Sequence, residues 1–194
     1  MTLGAGLLVL ADPPKGGEHG FSGLAPLADL GSTGSLESVL WTEHGIDHSR
    51  WQAIVIHHSA SPYETLETLD RKHRQMGLRG LGHHFVIGRG DGLGDGQVAS
   101  GFRWIKQLPG AHALGPQSDW YNQHAISICL VGDGDRHAFT SAQLARLRQL
   151  VSALEEELGL DASRVVLHSA IAPTTDPGWR FPEAWFYEQI TPGG

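Results

Sequence analysis

Ala53-Ile54-Val55-Ile56-His57-His58 is the stretch that decides how the rest of the chain is read. Ala53–His57 is a short, β-branched apolar run, the pattern of a buried strand, and it ends in histidine. Downstream, Ser61-Pro62-Tyr63-Glu64 reads as a capping box with proline at the first helical position. The helix it opens carries Leu66, Leu69, His73 and Met76 at helical spacing and stops at Gly77. His83–Ile87 reads as a second strand, whose two-residue period puts His83, Phe85 and Ile87 on one face and His84 and Val86 on the other. Gly88–Gly96 reads as a turn, Gln97–Ser100 as a returning strand and Phe102–Tyr121 as a long loop. Ala125–Val131 is a further apolar strand. Thr140-Ser141-Ala142-Gln143 is a second capping box, opening a helix with Leu144, Leu147, Val151, Leu154 and Leu158 on one stripe. Val165–Leu167 is a short strand ending at His168, and Pro182 begins a last amphipathic helix containing Trp185, Phe186 and Ile190. Strands and helices alternate, which predicts a single α/β domain with a central mixed β-sheet flanked by helices.

Composition bounds the function. The 194 residues carry 14 Lys+Arg against 21 Asp+Glu, a formal net charge of −7. That balance, with a pI near 5.9, argues against a nucleic-acid partner, which calls for a basic face. A hydrophobic content of 40% excludes a disordered chain. No apolar run approaches the roughly 20 residues of a membrane helix. The single cysteine, Cys129, excludes an internal disulfide and a Cys-rich zinc finger. Histidine is abundant, at 12 residues, and invites a search for a metal or acid–base site. Met1–Ala11 is apolar and ends in a small residue with no Lys or Arg before it, so a secretory-signal remnant and a plain extension both stay open. Residues 12–48 read as an irregular arm that leans on the domain through Leu40 and Trp41. The expected division is an extension over 1–48 and one domain over 49–194.

Several motifs are absent: His-Glu-x-x-His, a Walker loop and a Gly-x-Ser-x-Gly elbow. Glycines 88 to 96 precede no helix pattern, so they form no dinucleotide fingerprint. Asp91 and Asp95 match part of a calcium loop, but Leu93 and Phe102 stand at ligand positions. Glu155–Glu157 reads as a solvated helix face. What remains is histidine at strand ends: His57 and His58 close the first strand and His168 a late one, with Asp176 eight residues beyond. Two imidazoles and a carboxylate match a catalytic zinc set, with three protein ligands and a fourth position for water. Strand-end histidines bonded to backbone are the alternative, and spacing alone leaves both open.

Five blocks then carry a resemblance. Ile56-His57-His58-Ser59-Ala60-Ser61, Gly82-His83-His84-Phe85-Val86-Ile87, Gly110-Ala111-His112-Ala113, Ile126–Gly132, and His168 through Asp176-Pro177-Gly178 resemble, in order, the type 2 N-acetylmuramoyl-L-alanine amidases. That family includes phage lysozyme-type amidases and the peptidoglycan recognition proteins. The resemblance covers about residues 51–187. It implies zinc ligands at His57, His168 and Asp176 and a bonded support at His84, while strand parity turns His58 away from the metal. It also places His112 and Asn122 at a substrate cleft. Two departures stand out. His83 occupies a position where many active relatives have tyrosine, and Thr174 one where many have lysine. His83 and Thr174 are the candidates for the second catalytic group, because imidazole still exchanges protons near neutral pH. Cys129 reads as a small core residue.

The implied activity is hydrolysis of the amide joining the lactyl group of N-acetylmuramic acid to L-alanine. Zinc brings the pKa of a bound water to about 7 and polarises the scissile carbonyl. The ligand set leaves the site formally +1. The implied partner is peptidoglycan or a muropeptide, met by a monomer outside the cytoplasm. A non-catalytic peptidoglycan-binding protein is the alternative, although relatives of that type usually lose the last ligand. A structural module whose histidines bind nothing is a third reading. Trp104 and Trp120, within the long loop, are candidates to stack on sugar faces.

Overall fold

The computed structural model describes residues 35–191; the expected signal remnant and most of the arm lie outside them. Five strands form one sheet in the order β3-β2-β4-β1-β5: β1 Ala53–His58, β2 Phe85–Ile87, β3 Val98–Ser100, β4 Ala125–Leu130 and β5 Val165–Leu167. The pairs β1–β4, β1–β5 and β2–β4 are parallel, and only the edge pair β2–β3 is antiparallel. The sheet is therefore mixed, as expected. Six α-helices accompany it among the described residues: α1 Leu36–Val39, α2 Leu66–Gln75, α3 Phe102–Ile105, α4 Ser118–His124, α5 Ser141–Leu158 and α6 Glu183–Ile190. No helix among the described residues is long and apolar enough to cross a membrane.

β1 lies between β4 and β5, and its alternation divides the molecule. Ile54 and Ile56 face a large apolar layer with Ile126, Ile128, Phe85 and Ile87, closed by Leu147, Leu150, Val151 and Leu154 of α5 and Phe186 of α6. Each of these side chains contributes about 1.5–3 kcal/mol on burial. α5 is fixed at both ends. Thr140 and Gln143 form the reciprocal capping box read from sequence, and Gly159 ends the helix in the left-handed region at φ 64°. Gln143 is itself buried and donates to the carbonyls of Ile87 and Val131, tying the helix to the ends of β2 and β4. The opposite face of the sheet is smaller: Leu69, Leu81, Val86, Cys129 and Val131 form one cluster, and Ala53, Val55 and Ala125 another. His57 and Ser127 share this second face by the same two-residue period.

Five sequence expectations are corrected. The first helix is capped by Thr65 with Thr68, not by Ser61 with Glu64. Glu64 is buried and drawn to Lys72 and Thr68, and the helix does not begin until Leu66, so Ser61 and Glu64 have no helix end to cap. Met76 is no part of the apolar stripe; it lies at the helix end and is exposed. The stretch 102–121 is not an open loop, since α3 and the start of α4 fall in it. Trp104 is fully buried against Phe85 and Trp51, which rules it out as a sugar platform. Glu155 is partly buried with an unpartnered Oε1, unlike its exposed neighbours Glu156 and Glu157.

Candidate metal centre

The second face of the sheet ends in a cluster of imidazoles. His57 is the fifth residue of β1, so parity turns it away from the large core, while β4 holds it in register opposite Cys129. β5 ends at Leu167, and the chain enters a single 3-10 turn, His168–Ala170, which sets His168 beside it; the two rings lie 4.4 Å apart between centroids. Asp176 comes back to the same point. Its Oδ2 lies 3.0 Å from His57 Nδ1 and 2.8 Å from His168 Nδ1, and its Oδ1 accepts from the His58 amide at 2.6 Å. Ligand atoms of His57, His168 and Asp176 all lie within 4.8 Å of one another.

The loop that delivers Asp176 is packed backbone to backbone against the loop after β4. A Cβ on Gly134 would lie 1.9 Å from the Pro177 carbonyl oxygen, and one on Gly178, at φ +101°, would lie 2.2 Å from Gly134. Only glycine fits both positions. Arg180 donates its amide to the Gly134 carbonyl, and the Ser169 amide donates to the Asp176 carbonyl, so the turn is held from two sides. Thr174 Oγ1 accepts from the Asp176 amide at 3.2 Å, an exposed hydroxyl that orients the ligand residue. Asp135 braces the turn as well, accepting from Thr175 Oγ1 and from the Trp179 amide.

Burial and neighbouring charge set the protonation state. Burial pushes the His57 pKa down, against the pull of Asp176. Burial alone would raise the Asp176 carboxyl, but the His57 and His168 rings hold it below the usual carboxylate range. His83 is driven well below its ordinary value by burial and by the imidazoles of His57, His73 and His112. His112 is lowered likewise. The donor set at neutral pH is thus a carboxylate with neutral imidazole at His57, which fits a divalent zinc ion better than a cluster of mutually repelling cations.

His83 lies on this face, with its ring 5.1 Å from His57 and 5.3 Å from His73 between centroids, and its Nδ1 2.6 Å from Ser127 Oγ. The two-residue period predicted for His83–Ile87 does not reach it. β2 starts only at Phe85, and His83 sits opposite Phe85, which packs on Trp104. His84 turns to Trp51 instead, with Nε2 bonded to the Leu108 carbonyl and Nδ1 to the Ser127 amide. Burial pushes its pKa down to about 3. His58 points away from the cluster and accepts from the Gly134 amide at 3.0 Å. His112 joins the cluster, its Nδ1 3.0 Å from His57 Nε2. Asn122 is one step removed: its Oδ1 accepts from the amides of His112 and Ala113, and its Nδ2 donates to the Ala113 carbonyl. Both ends of that side-chain amide are therefore committed to backbone. Cys129 is fully buried and burial pushes its thiol up, which suits packing and not nucleophilic attack.

Two residues at this site were not singled out from the sequence. Ser127 looked like one more position in an apolar strand, although a lone hydroxyl in such a run is a signal for a polar partner on one face. Trp179 is 81% exposed beside the Asp176 turn, and nothing local in sequence separates an exposed tryptophan from a buried one.

Comparison with known proteins shows the family and the fold. The family profile described as N-acetylmuramoyl-L-alanine amidase matches residues 47–179. The chain belongs to this amidase family. Peptidoglycan-recognition protein SC2 of Drosophila melanogaster is 30% identical over 145 residues, 68% of this chain and 72% of that protein. Among solved structures, the endolysin N-acetylmuramoyl-L-alanine amidase LysCS of Clostridium intestinale superposes with a TM-score of 0.63 at 26% identity, covering 73% of this chain and 84% of that one. A mutant of Drosophila PGRP-LB in complex with tracheal cytotoxin has the same fold, with a TM-score of 0.55 at 23% identity over 69% of this chain and 79% of the other. The family thus joins amidases and peptidoglycan recognition proteins, and this chain carries the family fold in one domain.

Proposed function

We propose that the chain is a zinc-dependent N-acetylmuramoyl-L-alanine amidase, hydrolysing the amide between N-acetylmuramic acid and L-alanine in peptidoglycan or its fragments. The observation that carries this reading is the convergence of His57 Nδ1, His168 Nδ1 and Asp176 Oδ2 at the end of the sheet. These three residues would hold the ion. Zinc in such a three-ligand site supplies a Lewis acid that polarises an amide carbonyl and acidifies a water.

The chain's own residues complete the site. Asp176 is kept ionised by the His57 and His168 rings and oriented by the His58 amide, so its charge and lone pairs are fixed before any ligand arrives. His83 is the second catalytic group in this proposal. Its Nδ1 is engaged by Ser127 Oγ, which leaves Nε2 as the atom that gives a proton to, or takes one from, the reacting centre. Its neutrality at pH 7 suits either role, because a neutral ring carries both a donor and an acceptor. Thr174 supports Asp176 through its backbone amide. His112 and Asn122 form the wall beside His57. The proposed partner is a muropeptide or polymeric peptidoglycan met by a monomer. Peptidoglycan lies outside the cytoplasm, so the proposed reaction places the protein there.

The test scores turnover and binding separately. Purified protein incubated with a muropeptide should release free stem peptide, stop when zinc is chelated, and restart when zinc is returned. His83→Phe should lose about 10²-fold or more in rate with zinc retained, as for a positioned acid–base or oxyanion group, whereas His83→Tyr keeps substantial activity. Capture on insoluble peptidoglycan without any release of stem peptide would make the protein a binder and overturn the enzymatic reading.

A further inference from the structure

His57 and His168 face Asp176 in the same way but are held differently behind. His168 Nε2 is buried with no hydrogen-bond partner. His57 Nε2 instead lies 3.0 Å from His112 Nδ1, and the two rings meet edge to face at 80° with centroids 5.0 Å apart. His112 has little freedom to leave. Its amide and the next are gripped by Asn122 Oδ1, the Gly110 amide donates to the Asn122 carbonyl, and the Ala111 amide donates to the Gly82 carbonyl. The ring also fills the space over Gly110, where a Cβ would lie 2.3 Å from His112 Cδ2. A ring fixed on both its backbone and its face is a built support, not a loop side chain that happens to touch.

We propose that His112 is a positioning residue that acts through His57, and that the pair exchanges tautomers when the metal binds. The argument rests on the zinc reading above and on proton placement. A histidine that gives a nitrogen lone pair to a metal must carry its proton on the other nitrogen. With His57 Nδ1 toward the metal, the proton sits on Nε2 and is donated to His112 Nδ1, so His112 holds its own proton on Nε2. His112 Nε2 is itself buried with no hydrogen-bond partner, so the tautomer of this ring is set from the His57 side alone. Without the metal the relay reverses. The ionised Asp176 only accepts, so His57 Nδ1–H donates to Asp176 Oδ2, and His57 Nε2 becomes an acceptor for His112 Nδ1–H. Both rings stay neutral in both states, and the proton moves from Nδ1 to Nε2 on each. Outer partners of this kind fix ring direction and raise ligand basicity, and losing one typically costs 10–100-fold in metal affinity. His168, without such a partner among the described residues, has no equivalent support.

Two measurements test this. First, nitrogen-15 NMR of the imidazoles in the metal-free protein should show His57 and His112 protonated at Nδ1, and zinc should move both to Nε2. A zinc-loaded protein with His112 still protonated at Nδ1 would overturn the relay. If the wild-type protein takes up no zinc, the zinc reading fails; Nδ1–H on both rings in the metal-free protein then still supports the His57–His112 pairing, and any other pattern overturns it. Second, zinc affinity is measured by chelator competition for two variants, with metal-free melting temperature as a folding control. His112→Asn keeps an acceptor oxygen near the place of Nδ1 and should stay within about 3-fold of wild type, whereas His112→Leu should weaken zinc about 10–100-fold. Equal affinities for all three proteins, or equal losses in both variants, would remove the acceptor role. Should His112→Leu fail to fold, the asparagine variant and the NMR measurement still decide.

Discussion

Replacing Asp176 with asparagine separates metal binding from folding. In Asp176→Asn the oxygen that accepts from the His58 amide at 2.6 Å is retained, so the loop keeps its anchor. The other oxygen, which lies 3.0 and 2.8 Å from two imidazole nitrogens, becomes an NH₂ group. That group carries two hydrogens and no lone pair for a metal. Neutral rings can shift their protons to accept from it, so the metal-free variant should lose little, about 1 kcal/mol, which is about 2–4 °C for a chain of 150–250 residues. The zinc effect should be large. Free zinc at 100 times its dissociation constant stabilises the folded wild type by about 2.7 kcal/mol, which raises the melting temperature by about 5–10 °C. In the variant at the same zinc concentration that rise should shrink below about 2 °C. The assay is thermal unfolding with chelator and with zinc, for both proteins. An Asp176→Asn protein that keeps the full zinc-dependent rise would show that the carboxylate is no ligand; a wild type with no rise would refute the site altogether.

Two further outcomes follow from side chains at the margins. Trp179 is three positions beyond Asp176, within about 11 Å along the chain, and its amide is pinned to Asp135. Trp179→Ala should therefore raise KM for a muropeptide about 2–10-fold, with kcat and zinc content unchanged, in line with the roughly 0.5–1.5 kcal/mol of an aromatic stacking contact; an unchanged KM would exclude the indole from substrate binding. Glu155 has its pKa raised to about 6 by burial and by Asp161. Because the folded state holds this proton more tightly than the unfolded one, the penalty is absent below about pH 4.5, grows between there and pH 6, and is complete above. At full weight it is worth about 2 kcal/mol, reduced by solvent to about 1 or less at a half-exposed side chain. Glu155→Gln should raise the melting temperature by about 2–4 °C at pH 8 and not at pH 4.5. A gain equal at both pH values would assign the effect to something other than ionisation.

The sequence by itself determined the elements whose information is local. The apolar run at Ala53–His57, the Thr140–Gln143 box and the leucine stripe of α5 each place their signal within one or two turns or pleats, so periodicity and capping chemistry suffice to read them. The histidines at strand ends and the family blocks also brought His57, His168 and Asp176 to notice from residues far apart in the chain. Tertiary structure decided what depends on contacts between distant segments. It decided that Glu64 is drawn inward to Lys72 instead of capping a helix, and that Trp104 is core while Trp179 is open to solvent. It set His83 on the face of His57, although strand alternation places it with Phe85, because alternation holds only where a strand ladder fixes the backbone and β2 does not begin until Phe85. It also gave His57 a partner in His112 and left His168 Nε2 with none. That difference arises where β1, the Gly110–Ala113 segment and Asn122 meet, and no spacing within any one of them encodes it.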